Sequence, residues 1–78
     1  MMRVLKFLAD IKPDRAGLSF ALPRTIQKGT GLPFHDVCEI IEETEREGFV
    51  RTMRTNLSGP DAILSAMITE KGRSKVSA

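Results

Sequence analysis

The sequence predicts an α+β fold, mainly α with a small β-hairpin, over a single domain spanning residues 1–78. Three observations carry that expectation. Apolar residues recur at helical spacing in two stretches, two runs rich in β-branched and apolar residues flank a dense turn, and glycines and prolines punctuate the joints. A chain of 78 residues has room for one small core, because below roughly 70–80 residues a core rarely supplies more than a few kcal/mol. That size argues against a large enclosed substrate cavity.

The first helix is expected over residues 1–12, where Val4, Phe7, Leu8 and Ile11 fall at i, i+3, i+4 and i+7 and so share one face. Lys12-Pro13-Asp14 should end it, since proline lacks a donor and pushes the residue before it out of the α region. After a turn at Gly17, Leu18, Phe20 and Leu22 alternate with Ser19 and Ala21, the pattern of a short extended segment. Pro23 suits the first turn of a second, short helix over residues 23–28, with Ile26 facing inward. Gly29-Thr30-Gly31 then supplies positive-φ positions for a sharp exit.

The third helix is expected over residues 34–47, with Val37, Ile40, Ile41 and Thr44 on the buried stripe and Gly48 as its stop. Asp36 in its first turn complements the helix dipole. Residues 49–55 and 62–69 read as the two strands of a hairpin around the loop Asn56-Leu57-Ser58-Gly59-Pro60-Asp61. Thr69 can cap a final short helix over residues 70–76, which Gly72 weakens by about 1 kcal/mol relative to alanine.

Composition narrows the function classes. Hydrophobic residues make up 41% and charged residues 28%, the balance of an ordinary soluble globular protein. No apolar run approaches the ~20 residues needed to span a bilayer, and residues 1–10 lack the pattern of a signal peptide, so a cytoplasmic protein without a membrane partner is expected. One cysteine and one histidine cannot make a four-ligand zinc site from a single chain. There is no phosphate-cradling G-x-x-x-x-G-K-[ST] and no Ser-His-Asp set that can be placed on one surface, so neither an enzyme nor a cofactor or small-molecule ligand is expected. Cys38, flanking the buried stripe with no lysine or arginine within a turn, reads as a small hydrophobe rather than a redox sensor.

Three landmarks then stand in order: Thr30-Gly31-Leu32 before the third helix, Glu45-Arg46-Glu47-Gly48-Phe49-Val50 at its end, and Ile68-Thr69-Glu70-Lys71-Gly72-Arg73 after the hairpin. Together with the order helix, short strand, helix, turn, helix, hairpin, they resemble the winged helix-turn-helix of bacterial and archaeal transcriptional regulators. The resemblance covers nearly the whole chain. It implies a three-helix core plus a wing and a short C-terminal helix, with the third helix in a DNA groove and the wing on the flanking backbone. Two departures stand out: Thr44 occupies a place where such proteins usually put leucine, and the sequence runs only a few residues past Arg73, so a long C-terminal dimerisation helix is not expected.

Charge complicates the implied role. Residues 34–47 hold Asp36, Glu39, Glu42, Glu43, Glu45 and Glu47 against Arg46 alone, on the helix that would meet a polyanion. A carboxylate can accept from cytosine N4, but it repels phosphates and cannot supply the bulk of the affinity. The bases lie elsewhere: Arg24 and Lys28 on the second helix, Arg51 and Arg54 on the first wing strand, Lys71, Arg73 and Lys75 in the tail, and Arg3, Lys6, Lys12 and Arg15 near the start. The expected interface with double-stranded DNA is therefore Arg24, Lys28, Phe34, His35, Arg51 and Arg54, that is the second helix, the start of the third and the wing. Phe34 also fits a hydrophobic staple onto the preceding turn, and His35 a plain solvent-facing role. The alternative is a protein–protein interaction module whose acidic third helix docks a basic partner. A homodimer is open under either reading, since one domain this small contacts few base pairs.

Overall fold

The computed structural model describes residues 1–12, 20–56 and 62–77. The expected turn at Gly17, Leu18 of the extended segment, the Pro13-Asp14 stop, Arg15 and the loop residues 57–61 lie outside the described residues. Along the chain run α1 (Met2–Asp10), β1 (Phe20–Ala21), α2 (Pro23–Thr30), α3 (Phe34–Arg46), β2 (Val50–Arg54), β3 (Ile63–Ile68) and α4 (Glu70–Ser77). This is a small α+β protein of four helices and a three-stranded antiparallel sheet ordered β1-β3-β2.

The hairpin of β2 and β3 pairs Val50 with Ile68, Arg51 with Met67 and Thr52 with Ala66, and the Thr55 N–H donates to the Ala62 carbonyl where it opens into the loop. β1 joins the other side of β3, setting Phe20 against Met67 and Ala21 against Ala66. The extended segment is thus where the alternation placed it, but its faces are reversed from what side-chain size suggests. Ala21 is buried beside its partner Ala66, while Phe20 and Leu22 are exposed.

Val4, Leu5 and Leu8 from α1, Ile26 from α2, Val37 and Ile41 from α3, and Val50, Ile63, Ala66 and Ile68 from the sheet form the core. On α3 the buried stripe is Val37, Cys38, Ile41 and Thr44, whereas Ile40 is half-buried, so the stripe is rotated slightly from the expected one. Thr44 is fully buried without an orphaned hydroxyl. Its Oγ1 donates back to the carbonyls of Ile40 and Ile41 at 2.8 and 3.0 Å, the local bond that lets threonine sit in a helix interior.

Element ends differ from expectation in small ways with physical causes. α1 stops at Asp10 because Ile11 is already extended, at φ −69° and ψ 130°. α2 runs on to Thr30, and Gly29 is a helical residue rather than a turn residue: a Cβ there would lie 2.0 Å from the Phe7 ring, so glycine lets α1 and α2 approach. Gly31 alone makes the turn, at φ 74°. α3 ends at Arg46, and Gly48 at φ 82° releases the chain into β2.

Thr69 behaves as expected of a cap. Its Oγ1 accepts from the Gly72 N–H at 3.1 Å and donates to the Gly48 carbonyl at 2.7 Å, while its own N–H donates to the Phe49 carbonyl at 2.9 Å. Gly72 is not a flaw in α4, since a Cβ there would stand 2.2 Å from the Phe49 carbonyl oxygen and 2.7 Å from Ile68 Cγ1. Gly72→Ala should therefore lower the melting temperature despite its better helix propensity, by about 1–3 kcal/mol or roughly 5–15 °C for a domain this size. A thermal melt in which Gly72→Ala is more stable than wild type would show that α4 does not pack there.

Candidate nucleic-acid interface

Pro23 opens α2 and puts Arg24 in its first turn and Lys28 one turn later, both exposed. These two positions share a face at i, i+4. The chain turns at Gly31, and Pro33 caps α3 in an extended conformation, so Phe34 emerges as the first helical residue beside α2. The Arg24 guanidinium carbon lies 3.9 Å from the Phe34 ring centroid, a cation–π contact, and Arg24 Nη1 donates to Gln27 Oε1 at 3.5 Å. The half-buried Phe34 thus serves as the floor on which Arg24 is held.

His35 and Glu39 lie on the next turn, strongly exposed, with Nε2 to Oε1 at 3.1 Å, an ion pair when the imidazole is protonated. Asp36, Glu42, Glu43 and Arg46 are also exposed along α3. The corner between α2 and α3 accordingly joins a basic ridge, Arg24 and Lys28, to an acidic helix.

The wing arginines part company. Val50, Thr52 and Arg54 alternate onto the face of β2 that meets α3, and Arg54 pairs with Glu45 and, at 3.6 Å, with Glu42. The Thr52 hydroxyl donates to the same Glu45 carboxylate. Partial burial pushes the Glu45 carboxyl up, but the bonds from the Thr52 hydroxyl and Arg54, the Arg54 charge and the Thr52 N–H outweigh it and hold the carboxyl below its usual range. The hydrogen bond with Glu45 also raises the pKa of Arg54, against a smaller effect of burial.

Arg51 points the other way. It stands in register with Met67, is exposed, and lines an open groove of about 920 Å³ with Glu45, Gly48, Thr69, Glu70 and Lys71. That groove is at the C-terminal end of α3. Since Phe34 and Glu45 are roughly 17 Å apart along the helix axis at 1.5 Å per residue, Arg51 belongs to a different part of the surface from Arg24.

Of the six residues expected to form the interface, Arg24 and Phe34 are in contact, with Lys28 one turn along α2 and His35 next in α3, whereas Arg51 lines the groove at the C-terminal end of α3 and Arg54 is held by Glu42 and Glu45. Sequence reading missed the bond from Glu45 to Thr52 and Arg54. Its only signal was the i, i+3 spacing of Glu42 and Glu45, which sets both on one face of the helix. Cys38 is buried. Among the described residues no group of three or more His, Cys, Asp or Glu side chains is arranged to hold a metal, and no helix is long and apolar enough to cross a membrane.

No protein-family model, curated protein or solved structure matches the chain.

The depressed Glu45 carboxyl makes a stability prediction. A group whose folded pKa lies below its unfolded one stabilises the fold above the ordinary glutamate pKa, about 4.3, and that contribution is lost as the pH falls through the folded value. Glu45→Gln should therefore melt below wild type at neutral pH, by no more than about 1 kcal/mol for a partly exposed pair, and the gap should close at pH 2–3. An equal gap at both pH values would mean that the charge of Glu45 is not what stabilises.

Proposed function

We propose that this chain is a winged helix-turn-helix domain that binds double-stranded DNA, as transcriptional regulators do, through α2, the start of α3 and the β2–β3 hairpin as its wing. The observation that carries the reading is the corner at which Arg24 is held over Phe34 with Lys28 one turn away. A guanidinium already immobilised on a ring loses less entropy on meeting a phosphate, and the exposed Lys28 adds a second cation on the same face. The topology supports the same reading. A short strand between α1 and α2 pairs beside the C-terminal strand of a hairpin, and that hairpin lies against the helix after the turn, which is the arrangement the sequence resemblance implies.

In this reading phosphate contacts from Arg24 and Lys28 supply the affinity, while Phe34 and His35 are the residues nearest the base edges. The acids of the second half of α3 do not oppose it uniformly, because Glu42 and Glu45 already share Arg54. A second reading is favoured by one specific observation: Asp36 and Glu43 on α3 and Glu47 at its C-cap are exposed with no ion-pair partner among the described residues, a surface that suits a basic protein.

Titration against a mixed-sequence duplex over a range of salt separates the two. The DNA reading expects binding at low salt, and Arg24→Ala with Lys28→Ala should lower the slope of log K against log salt by about 1.8, close to 0.9 per phosphate contact. Absence of binding at low salt, or a slope that the double variant leaves unchanged, removes this reading in favour of the protein partner.

A further inference from the structure

Glu45 accepts from two donors on β2, the hydroxyl of Thr52 and the guanidinium of Arg54, and the nearby backbone N–H of Thr52 helps to hold its carboxyl down. The direction of that N–H is informative. The Phe49 carbonyl accepts from Thr69 on β3's side, so by the alternation of an antiparallel ladder Thr52 turns its N–H away from β3, toward the free edge of the sheet. β2 is an edge strand in the order β1-β3-β2, and Glu45 fills the place a neighbouring strand would take. One helical turn back, Glu42 stands 3.6 Å from the same guanidinium. Moving Arg54 to a phosphate would therefore exchange two carboxylates for one acceptor and leave both acids bare beside a polyanion.

We propose that Glu45 is a positioning residue of the DNA-binding face: it fastens β2 to α3, so that the hairpin is presented at a fixed angle and Arg54 acts as a strut rather than as a phosphate ligand. The proposal rests on the DNA reading for its function and on the α3–β2 geometry for its structure. A wing that is fixed before binding does not have to be ordered on binding, which is where the gain in affinity arises.

Two measurements test it. In the first, duplex binding is compared for Arg54→Ala, Glu45→Ala, the double variant and Lys28→Ala over a range of salt. Each single change at 45 or 54 should weaken binding by roughly three- to tenfold, with the double variant no worse than either single one. Arg54→Ala should leave the salt slope intact, whereas Lys28→Ala lowers it by about 0.9. Tighter binding by Glu45→Ala, or a slope loss for Arg54→Ala equal to that for Lys28→Ala, would overturn the strut and make Arg54 a phosphate ligand that Glu45 withholds.

The second measurement is amide hydrogen exchange on the DNA-free protein, which judges the clamp whether or not DNA binds. Glu45→Ala should speed exchange at Thr52 by tenfold or more relative to Met67 on the central strand. A merely destabilised fold would speed both alike, and an unchanged ratio overturns the proposal even if every variant binds DNA.

Discussion

The carbonyl of Phe49 is the point on which the second half of the molecule depends. It accepts the Thr69 N–H, lies against the backbone of Gly72 where no Cβ fits, and belongs to a residue whose own N–H donates to the Thr44 carbonyl at 2.8 Å. The end of α3, the start of β2, the end of β3 and the first turn of α4 therefore meet at the backbone of one residue. Thr69 closes the same knot by bonding the Gly48 carbonyl, just after the left-handed residue that lets the chain turn there. With β2 launched from this junction directly beneath α3, Thr52 and Arg54 can reach Glu45.

That constraint reorganises the charge of the molecule. Read as a string, α3 is a run of acids that should repel DNA. Folded, it has three parts: a start that carries Phe34 beneath Arg24, an exposed acidic stripe, and a face whose Glu42 and Glu45 are occupied by the wing. Glu45, one of the six acids counted against DNA binding in the sequence, is part of the joint between helix and sheet. On the proposed reading the cations that remain for phosphates are those of α2, with Arg51 turned toward the groove at the far end of α3.

Much of this architecture was legible because its signals are local. Pro23 at a helix start, Gly31 and Gly48 at positive φ, and Thr69 as a cap each act through neighbouring backbone, and each stands where the sequence put it. What escaped depends on contacts between elements distant in sequence. The alternation around Phe20 revealed a strand but not which face it buries, since only pairing with β3 decides that Ala21 goes inward. Gly29 read as a turn residue and Gly72 as a weak helix residue until their neighbours, the Phe7 ring and the Phe49 carbonyl, are in place. Arg54 read as a free cation for the same reason, because no local pattern shows that β2 runs back along α3 toward Glu42.

The most direct test of the central claim is the map of backbone amide shift changes when an unlabelled duplex is added to the labelled protein. Binding as proposed would concentrate the changes at Arg24, Lys28, Phe34 and His35, with the Glu45 and Thr52 amides unmoved because the wing is already fixed. Changes that avoid α2 and gather on the groove at Arg51 and Lys71, or no changes at low salt, would contradict it.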